Sequence, residues 1–488
     1  MHKEVRTRYA PSPTGYLHVG GLRTALYNYL FARKMGGKLL LRVEDTDRTR
    51  LVEGAVENFL EIFDWLGIRF DEGPKVGGPH APYVQSERLN LYQEAISTLA
   101  NAGHAYACFC TPERLEQVRA EQQSRGLPPM YDRCCRKISR DDAMTRVAAG
   151  EPHVWRMAVP DSGSIEVHDV VRGDVSFEAA TIDDQVLVKS DGFPTYHLAN
   201  VVDDHAMQIS HVIRGEEWLP STPKHVLLYR FFGWDVPQFA HLPLLLNPDR
   251  SKMSKRSGDV AVEAYREKGI LPEALLNFVA LLGWHPQDER EFFSLDELVN
   301  EFSLERVNKA GAVFDHAKLR WMNTEYLARL SHDAIWDGVA PLLPSELLVE
   351  SASRVRYAVV SLRPGAESFQ DLASKVCEVF AAPDSSDAAF DETQLLFIGD
   401  VADALSVLPA AKWNDFEELV HEFKRSANVA AEKHGMKGKA VWMTLRLAMT
   451  GREHGAELGK LIGMWGREGT LNRLHSAVAH KLSQEPSK

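Results

Sequence analysis

Two short segments contain residue types that could handle a phosphate chain. The first, residues 11–21, reads PSPTGYLHVGG and places His18 two residues before a glycine pair. It has the glycines of a phosphate-binding loop, but neither a P-loop lysine nor GxGxxG spacing. An imidazole here could donate a hydrogen bond to a phosphate or ring oxygen. The alternative is that His18 only caps or packs against the start of a helix.

The second segment, residues 251–258, reads SKMSKRSG. Its lysines, Lys252 and Lys255, lie in a glycine- and serine-rich loop beside an arginine. Either lysine could contact a phosphate chain and neutralise the charge that develops on a departing pyrophosphate. The alternative is a solvated surface loop, which is what an isolated run of basic residues usually forms.

The elements around His18 predict where it lies. Residues 4–10, EVRTRYA, have the pattern of a short strand, and residues 21–37 have helical spacing that ends at two glycines. Residues 38–45, KLLLRVED, then read as a buried strand that ends in carboxylates. Strand, tight turn, helix and strand form half of an open α/β nucleotide fold, whose ligands bind at strand carboxyl ends and helix N-termini. His18 is therefore predicted to face a nucleotide.

Composition sets broader limits. A chain of 488 residues predicts roughly three or four domains. The first residues are polar, so no signal peptide is expected, and the apolar stretches are too short for a membrane span. The chain has only five cysteines, an odd number, which favours free thiols in a reducing cytoplasm over a disulfide framework. A net charge of -12 argues only weakly against a nucleic-acid partner, because a local basic face determines affinity.

The pattern of elements changes twice along the chain. Residues 150–190 are rich in strand patterns separated by Pro, Gly and Asp turns, which predicts a different kind of domain inserted into the first. The alternating α/β pattern returns in residues 209–234. Beyond about residue 330 nearly all of the sequence has helical spacing, with a basic run at residues 433–439.

Four longer segments carry a family resemblance. HVGG at residues 18–21 and KMSKR at residues 252–256 resemble the HIGH and KMSKS signatures of class I aminoacyl-tRNA synthetases. Bacterial glutamyl-tRNA synthetases have similar segments in the same order along the chain. With KMSKR, the matching segments here are residues 8–33, which contain HVGG, residues 41–50 (LRVEDTDRTR) and residues 191–219 (DGFPTYHLANVVDDHAMQISHVIRGEEWL). The resemblance covers essentially the whole chain and is loosest in the C-terminal third.

The resemblance implies the fold class and its divisions. The expected class is α/β multidomain, with a Rossmann-type class I synthetase core and an all-helical anticodon-binding region. The core is expected at residues 1–95 and 196–247, and an inserted α+β domain that binds the acceptor end at residues 96–195. A stem-contact module with the KMSKR loop would occupy residues 248–330, and the helical region residues 331–488.

The implied activity is ATP-dependent activation of L-glutamate to glutamyl-adenylate, followed by transfer to the 3′ end of tRNA(Glu). A carboxylate is already a nucleophile, so the enzyme must chiefly supply alignment and charge neutralisation. ATP with Mg²⁺, L-glutamate and tRNA are the implied partners, and a cytoplasmic monomer is expected.

Family motifs map onto individual residues of this sequence. The expected catalytic groups are His18 and Lys255. The expected glutamate-binding residues are Arg8, Ala10, Ser12, Glu44, Tyr196, Asn200 and Arg214, with Arg8 or Arg214 holding the side-chain carboxylate and Glu44 the ammonium. The expected ATP-binding residues are His18, Gly20, Glu217, Trp218, Lys252 and Lys255. Taken singly, each would more often be an ordinary core or surface residue.

The cysteines match a zinc-binding pattern of some family members only in part. Cys108 and Cys110 form CxC, and Cys135 follows Tyr131 by four. Full-length members with zinc have a histidine two places after the third cysteine, where this chain has Lys137. Free thiols are therefore favoured, and the alternative is zinc bound by Cys108, Cys110, Tyr131 and Cys135.

Other functions fit the sequence less well. A glutaminyl-tRNA synthetase ends in β-barrels, whereas this C-terminal third is helical. Shortened tRNA-modifying relatives lack an anticodon-binding region, and 488 residues is too long for them. A decayed, non-catalytic tRNA-binding relative would have lost His18 or the lysine loop, and both are present.

One position bears on which tRNA is charged. In discriminating family members an arginine after an apolar helix reads the third anticodon base, which is C for glutamate and G for glutamine. In the matching segment, VVSLRPGAESFQDL, Gly365 occupies that place and Arg363 lies two residues earlier. A glycine predicts that tRNA(Gln) is charged as well, whereas a two-residue slip would make Arg363 the reader.

Overall fold

The structure is a computed structural model that describes residues 4–253, 261–381 and 390–482. The chain divides into two units, residues 1–267 with 272–319 and residues 268–271 with 320–488. Lys255 lies outside the described residues. Among the helices within these three ranges, none is both long enough and apolar enough to cross a membrane.

The strands all belong to the first unit among the described residues. They are β1 (Arg6–Tyr9), β2 (Lys38–Leu41), β3 (Ala105–Cys108), β4 (Val154–Met157), β5 (Ser164–Asp169), β6 (Gly173–Glu178), β7 (Val186–Val188), β8 (His211–Gly215), β9 (Gln238–Leu242), β10 (Leu245–Leu246) and β11 (Ala312–Val313).

The helices of the first part of the chain are α1 (Val19–Lys34), α2 (Ala55–Trp65), α3 (Leu89–Asn101), α4 (Pro112–Ser124), α5 (Arg140–Ala148), α6 (Tyr196–Ala206), α7 (Thr222–Phe232), α8 (Val262–Glu267), α9 (Pro272–Ala280), α10 (Leu295–Glu301) and α11 (His316–Arg329). They are followed by α12 (His332–Val339), α13 (Ser345–Leu362), α14 (Phe369–Phe380), α15 (Glu392–Ser406), α16 (Ala410–Asn414), α17 (Phe416–Lys433), α18 (Lys439–Thr450) and α19 (Leu458–Leu482).

A parallel arrangement of strands forms the core of the first unit. β1 pairs with β2, and β8 pairs with β9, both in parallel. The backbone N–H of Ser210, just before β8, donates to the carbonyl of Arg6 at the start of β1, 3.0 Å away. The predicted strand, turn, helix and strand are therefore confirmed as β1, the His18 turn, α1 and β2.

Helix α1 is buried because it packs against β1, β2 and β8 and also against α9 and α10. Its apolar side chains, including Leu22, Leu26 and Leu30, are fully shielded from water. Burial of each such leucine contributes about 1.5–3 kcal/mol relative to an exposed side chain. This packing fixes the N-terminus of α1, and His18 with it, against the sheet.

The strand-rich segment joins two different sheets. Strands β3, β4 and β7 form a small antiparallel sheet of their own. The hairpin of β5 and β6 instead extends the core sheet in the order β6-β5-β9-β8, because Asp169 at the end of β5 pairs with Phe239 of β9. The sequence indicated the strands but not this division, which brings Asp169 next to the core.

The second unit is helical throughout its described residues, as the sequence predicts. Helix α19 packs against α13, α15, α17 and α18, and its backbone is non-helical at Gly466. Phe397, Leu419, Phe423 and Ile462 are buried in the resulting core. Capping side chains set the helix starts, as where Asp391 and Gln394 form a capping box at α15.

Candidate active site

A cavity of about 820 Å³ lies at the carboxyl ends of the parallel strands. Ala10 follows β1, Glu44 follows β2, Gly215 ends β8 and Pro243 follows β9, and all four line it. This edge is where open α/β sheets bind their ligands. The cavity brings together these predicted site residues: Arg8, Ala10, Ser12, His18, Gly20, Glu44, Tyr196, Asn200, Arg214, Glu217, Trp218 and Lys252.

His18 caps helix α1 and also lines the cavity. Its Nδ1 accepts the backbone N–H of Gly21 at 3.0 Å. The proton of the neutral ring is therefore on Nε2, which is the nitrogen that can donate to a ligand oxygen. Capping and ligand contact, offered as alternatives by the sequence, are compatible because each uses a different ring nitrogen.

The glycine pair after His18 is required by close packing. A Cβ on Gly20 would lie 3.1 Å from the Nδ1 of His18, and a Cβ on Gly21 would lie 2.7 Å from the hydroxyl of Tyr9. Side chains at these positions would displace the imidazole or the first strand. The glycines thus keep the N-terminus of α1 open toward the cavity.

Arg8 is held by a buried chain of charges that reaches Glu44. Its Nε and Nη2 donate to Oδ1 and Oδ2 of Asp204, 3.0 and 3.2 Å away. Arg42 donates from Nη1 to Oδ1 of the same carboxylate at 2.7 Å and from Nη2 to Oε1 of Glu44 at 3.0 Å. All four side chains are almost completely buried. Asp204 and Arg42 therefore fix both a cation and an anion of the cavity wall.

Burial and ion pairing act differently on the two acids. Burial raises the pKa of Glu44, and the ion pair with Arg42 reverses only part of that increase. Burial also opposes ionisation of Asp204, but Arg8 and Arg42 outweigh it and hold the pKa of that carboxyl below its usual range. Asp204 is therefore ionised, whereas Glu44 ionises more readily once a cation binds beside it.

A neighbouring cluster around Asp203 adds a further ion pair, with Arg88, to this network. Asp203 accepts hydrogen bonds from Arg88 Nε at 2.7 Å, Gln85 Nε2 at 2.9 Å and the hydroxyl of Tyr92 at 2.8 Å. With Arg88 and Asp203 included, this buried network contains three guanidinium groups and three carboxylates. The network is thus close to electrically neutral when Glu44 is ionised.

Arg214 differs from Arg8 because its immediate hydrogen-bond partners are uncharged. Its Nε donates to Nε2 of His241 at 3.1 Å, and its Nη1 contacts Tyr196 Oη at 3.0 Å and His225 Nδ1 at 3.2 Å. Its Nη2 donates to Thr222 Oγ1 at 3.0 Å. Arg214 consequently adds a full positive charge to the cavity wall.

His225, which contacts Arg214, and His197, which contacts His225, are both neutral. Burial, followed by the charge of Arg214, lowers the pKa of His225 far below its usual value. The next histidine, His197, lies 3.1 Å from His225 and has its pKa lowered to about 3, by burial and then by Lys224 and Arg214. Neutral imidazoles can accept hydrogen bonds from a guanidinium without neutralising it.

Aromatic rings form the other wall. The rings of Tyr196 and Trp218 lie 4.3 Å apart between centroids, and Nδ2 of Asn200 donates to the hydroxyl of Tyr196 at 3.3 Å. Trp218 remains 38% exposed, so its indole offers a flat apolar surface for a heterocycle. Glu217 lines the cavity next to it.

Several of the residues that shape this site had no role in the sequence prediction. Asp204, Arg42, His225 and His241 hold the predicted arginines and the predicted acid. One signal was available, because an arginine inside an apolar strand, as in KLLLRVED, requires a buried acidic partner. The identity of that partner, 162 residues further on, depends on the tertiary fold.

The cysteines of the CxC segment converge on Tyr131. Its hydroxyl lies 3.3 Å from Cys108 Sγ, 3.4 Å from Cys110 Sγ and 3.6 Å from Cys134 Sγ. Cys110 Sγ is 3.5 Å from Cys135 Sγ and 3.4 Å from Cys134 Sγ. Sulfur atoms bound to one zinc ion lie about 3.8 Å apart, given Zn–S bonds of about 2.3 Å. The thiols of Cys108, Cys110 and Cys135, whose sulfur atoms all lie within 4.8 Å of one another, therefore fit zinc, whereas Cys134 lies close to Cys110 but outside that group.

A second cavity, of about 250 Å³, lies in the helical unit. It is lined by Phe423, Lys424, Lys439, Trp442, Met443, Arg446, Glu457, Leu458 and Gly459. Nη1 of Arg446 is buried and has no hydrogen-bond partner among the described residues. Three cations beside two aromatic rings suit an unstacked base with its phosphate. Of these residues, only Lys439 belongs to the basic run singled out in the sequence.

The predicted tRNA-reading positions have different environments. Arg363 is half-buried, and its Nη1 donates to the carbonyl of Leu330 at 2.8 Å. Gly365 is exposed with a φ of 79°, and a Cβ there would have no neighbour within 4 Å. Arg363 thus makes a hydrogen bond within the fold, whereas the surface next to Gly365 has room for a side chain.

Comparison with known families agrees with this geometry. Residues 4–321 match the family model described as tRNA synthetases class I (E and Q), catalytic domain, and residues 317–478 match an anticodon binding domain. The chain belongs to this class of synthetases.

Similar proteins narrow the assignment. The chain is 45% identical to a glutamate–tRNA ligase of Alkaliphilus metalliredigens over 98% of its length and 100% of the relative. It is 47% identical to one of Chloroherpeton thalassium over 97% of both chains. A glutamate tRNA ligase of Elizabethkingia meningosepticum, solved in complex with its amino acid, superposes with a TM-score of 0.90 at 40% identity, covering 98% of this chain and 99% of that one. The chain belongs to the glutamate–tRNA ligase family, and the predicted family and fold class are confirmed.

Proposed function

We propose that this chain activates L-glutamate with ATP and transfers the glutamyl group to the 3′ end of tRNA(Glu). One observation carries the proposal: a single cavity is lined by the His18 turn, by Arg8 and Arg214, and by Glu44. These groups match a phosphate chain, a side-chain carboxylate and an ammonium group.

Glutamate selection depends on the two arginines. Arg8 is oriented by Asp204 and uses its Nε and one Nη2 proton there, so its Nη1 edge is left for a ligand. Arg214 supplies charge that no contacting carboxylate of the cavity network neutralises. The side-chain carboxylate binds between them, Glu44 binds the ammonium, and Tyr196 and Asn200 close the pocket. Ala10 and Ser12 line the near wall.

Activation is an in-line displacement at the α-phosphate. An α-carboxylate oxygen of glutamate attacks the phosphorus, and the bond to the β-phosphate breaks, so that pyrophosphate leaves with the bonding electrons. ATP enters with Mg²⁺, its adenine lies against Trp218 and its ribose binds Glu217. His18 donates from Nε2 to a phosphate oxygen beside Gly20, and Lys252 and Lys255 neutralise the departing pyrophosphate.

Transfer to tRNA uses the rest of the chain. A hydroxyl of the terminal adenosine attacks the activated acyl carbon, and AMP leaves. We assign residues 96–195 to the acceptor end, residues 248–330 to the stem and residues 331–488 to the anticodon. The cavity with Lys439, Trp442 and Arg446 supports the last assignment, since it combines cations with aromatic surface.

We propose that tRNA(Gln) is charged as well. Gly365 offers no side-chain donor to distinguish C from G at the third anticodon base. Arg363, the alternative reader, donates to the carbonyl of Leu330. A lost bidentate contact to a base edge is worth about 1–3 kcal/mol of discrimination in the analogous reading of DNA.

The cysteine cluster is a candidate structural zinc site. Zinc bound by Cys108, Cys110, Cys135 and either Tyr131 or Cys134 would fasten the end of β3 to the 131–135 segment. The site supplies no group to the main cavity. Metal analysis of the purified protein, with Tyr131→Phe and Cys134→Ser compared, decides between zinc and free thiols and identifies the fourth ligand.

The test of the main proposal is ATP–pyrophosphate exchange and charging of purified tRNA transcripts. Glutamate-dependent exchange that requires tRNA, with glutamyl-tRNA(Glu) as the product, is expected. Exchange with glutamine in place of glutamate, or formation of adenylate without any transfer to tRNA, would contradict the proposal. His18→Ala should abolish exchange, whereas His168→Ala, a change of an exposed histidine on the β5–β6 hairpin, should not.

A further inference from the structure

Arg214 is connected to a buried carboxylate through one imidazole. It lies directly opposite His241 in the parallel pair of β8 and β9. Nε of Arg214 is 3.1 Å from Nε2 of His241, and Nδ1 of His241 is 2.5 Å from Oδ2 of Asp169. The side chains of His241 and Asp169 are completely buried. The three residues form a line from the β5–β6 hairpin to the cavity.

The hydrogen bonds of Asp169 determine which nitrogen of His241 carries the proton. Its Oδ1 accepts the backbone N–H groups of Val171 at 3.0 Å and Arg172 at 2.8 Å. Its Oδ2 is left for His241, and a carboxylate can only accept, so the imidazole proton is on Nδ1. Nε2 then presents its lone pair to the Nε–H of Arg214.

We infer that Asp169 and His241 are positioning residues for the amino-acid specificity of the proposed reaction, because they orient Arg214 through a fixed histidine tautomer. The inference rests on the proposed function and deepens it. A carboxylate in direct contact with Arg214 would neutralise it, as Asp204 does for Arg8. A neutral imidazole instead orients the guanidinium and leaves its charge for the substrate carboxylate.

The ionisation of the imidazole agrees with this arrangement. Burial lowers the pKa of His241, and the charge of Arg214 lowers it further, so that together they outweigh the hydrogen bond to Asp169. Burial opposes ionisation of Asp169, but the hydrogen bonds from His241 and the backbone hold its pKa below the usual range. Asp169 is therefore ionised beside a neutral histidine.

Asp169→Asn separates positioning from simple support of the turn. The amide oxygen can keep the backbone N–H bonds of Val171 and Arg172, which leaves the amide nitrogen facing His241. That nitrogen donates to Nδ1, so the ring proton moves to Nε2 and faces the Nε–H of Arg214. Two donors then oppose each other in a buried site, so Arg214 loses the contact that orients its Nε edge.

The experiment compares steady-state kinetics of wild type and Asp169→Asn. We expect the KM for glutamate to rise about tenfold or more and the preference for glutamate over glutamine to fall, with the KM for ATP almost unchanged and the protein still folded. The matched control is Asp174→Asn, which alters an exposed Asp–His pair, Asp174 and His168, in the same hairpin. An unchanged KM for glutamate in folded Asp169→Asn would overturn the inference.

A second pair of variants tests the tautomer independently. The inference can therefore still be tested if Asp169→Asn folds poorly. His241→Gln retains an acceptor that can face Arg214, whereas His241→Leu does not. We expect His241→Gln to stay within about threefold of wild type in the KM for glutamate, and His241→Leu to exceed tenfold. Equal effects of the two would overturn the inference. Wild-type protein that does not charge tRNA with glutamate would instead contradict the proposed function.

Asp169→Asn in the His241→Gln background completes a double-mutant cycle. Without an imidazole the substitution should change the KM for glutamate less than twofold. If it raises that KM equally in both backgrounds, Asp169 acts through the backbone turn and not through the tautomer, and the inference is wrong.

Discussion

Asp204 accepts two hydrogen bonds from one edge of the Arg8 guanidinium, with Nε 3.0 Å from Oδ1 and Nη2 3.2 Å from Oδ2. The same carboxylate also accepts a hydrogen bond from Arg42, so two buried guanidinium groups share one acid. Because both arginines sit at strand ends of the core sheet, this contact links stability of the core to the geometry of the cavity.

Asp204→Ala should destabilise the first unit strongly. Removing one partner of a buried ion pair leaves uncompensated charge and costs about 3–5 kcal/mol. Asp64→Ala, which removes an exposed partner of Lys75, serves as the control and should leave the unfolding curve unchanged. Urea denaturation followed by tryptophan fluorescence measures both. Equal midpoints for Asp204→Ala and wild type would show that the network adds nothing to stability.

Arg214→Ala should reduce kcat/KM for glutamate by about 10²-fold or more, because the substrate carboxylate loses its uncompensated cation. The fold should survive, since no acid contacts Arg214 directly in the cavity network. Arg8→Ala should lower both activity and stability, because it leaves Asp204 one cation short. Kinetics with glutamate and glutamine check this. Wild-type preference for glutamate in both variants would remove these arginines from specificity.

Local pattern was sufficient to predict the elements that present the site. The spacing of Leu22, Leu26 and Leu30 predicts α1, and its glycines predict the turn before it. Strand carboxyl ends then locate the cavity near Glu44, because ligand position in open α/β sheets depends on topology. The individual roles of the residues came from the family resemblance and stay predictions.

The supporting contacts could not be predicted from the sequence. Asp169 lies in a segment that reads as part of an inserted domain, yet its hairpin pairs with the core strand β9. Its contact with His241 spans 72 residues, and that of Arg8 with Asp204 spans 196. No local periodicity encodes such pairs, since they form only when separate elements adopt one register.

Lys255→Ala should slow adenylate formation by about 10²-fold or more, with a smaller effect on glutamate affinity. The reason is that the lysine would contact the pyrophosphate mainly as it departs. Rapid-quench measurement of a single turnover isolates this step, and Lys75→Ala is a control for loss of a surface lysine. An unchanged single-turnover rate would exclude Lys255 from the mechanism.

Buried His225 makes stability depend on pH. Its folded pKa lies well below the unfolded value, so below about pH 6.5 the unfolded chain takes up a proton that the folded chain does not. Stability should therefore fall between pH 7.5 and 5.5, and less so in His225→Asn, whose amide oxygen can still accept from Arg214. Melting temperatures at both pH values test this, with exposed His168→Asn as control. Identical pH dependence in His225→Asn and wild type would contradict it.

Wild-type enzyme should glutamylate transcripts of both tRNA(Glu) and tRNA(Gln), and Gly365→Arg should selectively reduce charging of tRNA(Gln). A Cβ at Gly365 meets no atom within 4 Å, so an arginine has room there. Its φ of 79° costs a non-glycine residue about 1–2 kcal/mol. Gly365→Ala carries the same backbone cost without the guanidinium, and it should leave the ratio of the two charging rates unchanged.

Arg363→Gln tests the alternative in which Arg363 is the reader. If Gly365 is the relevant position, this variant should keep the wild-type ratio of charging rates, because Arg363 binds the carbonyl of Leu330. Gly365→Arg, by contrast, adds a guanidinium that can bind the base edge in bidentate fashion. That variant should shift the ratio of charging rates by about tenfold toward tRNA(Glu), as a difference of about 1–3 kcal/mol implies. Background-level charging of tRNA(Gln) by the wild type would refute the proposal, and a further change in the ratio with Arg363→Gln would identify Arg363 as the discriminating residue.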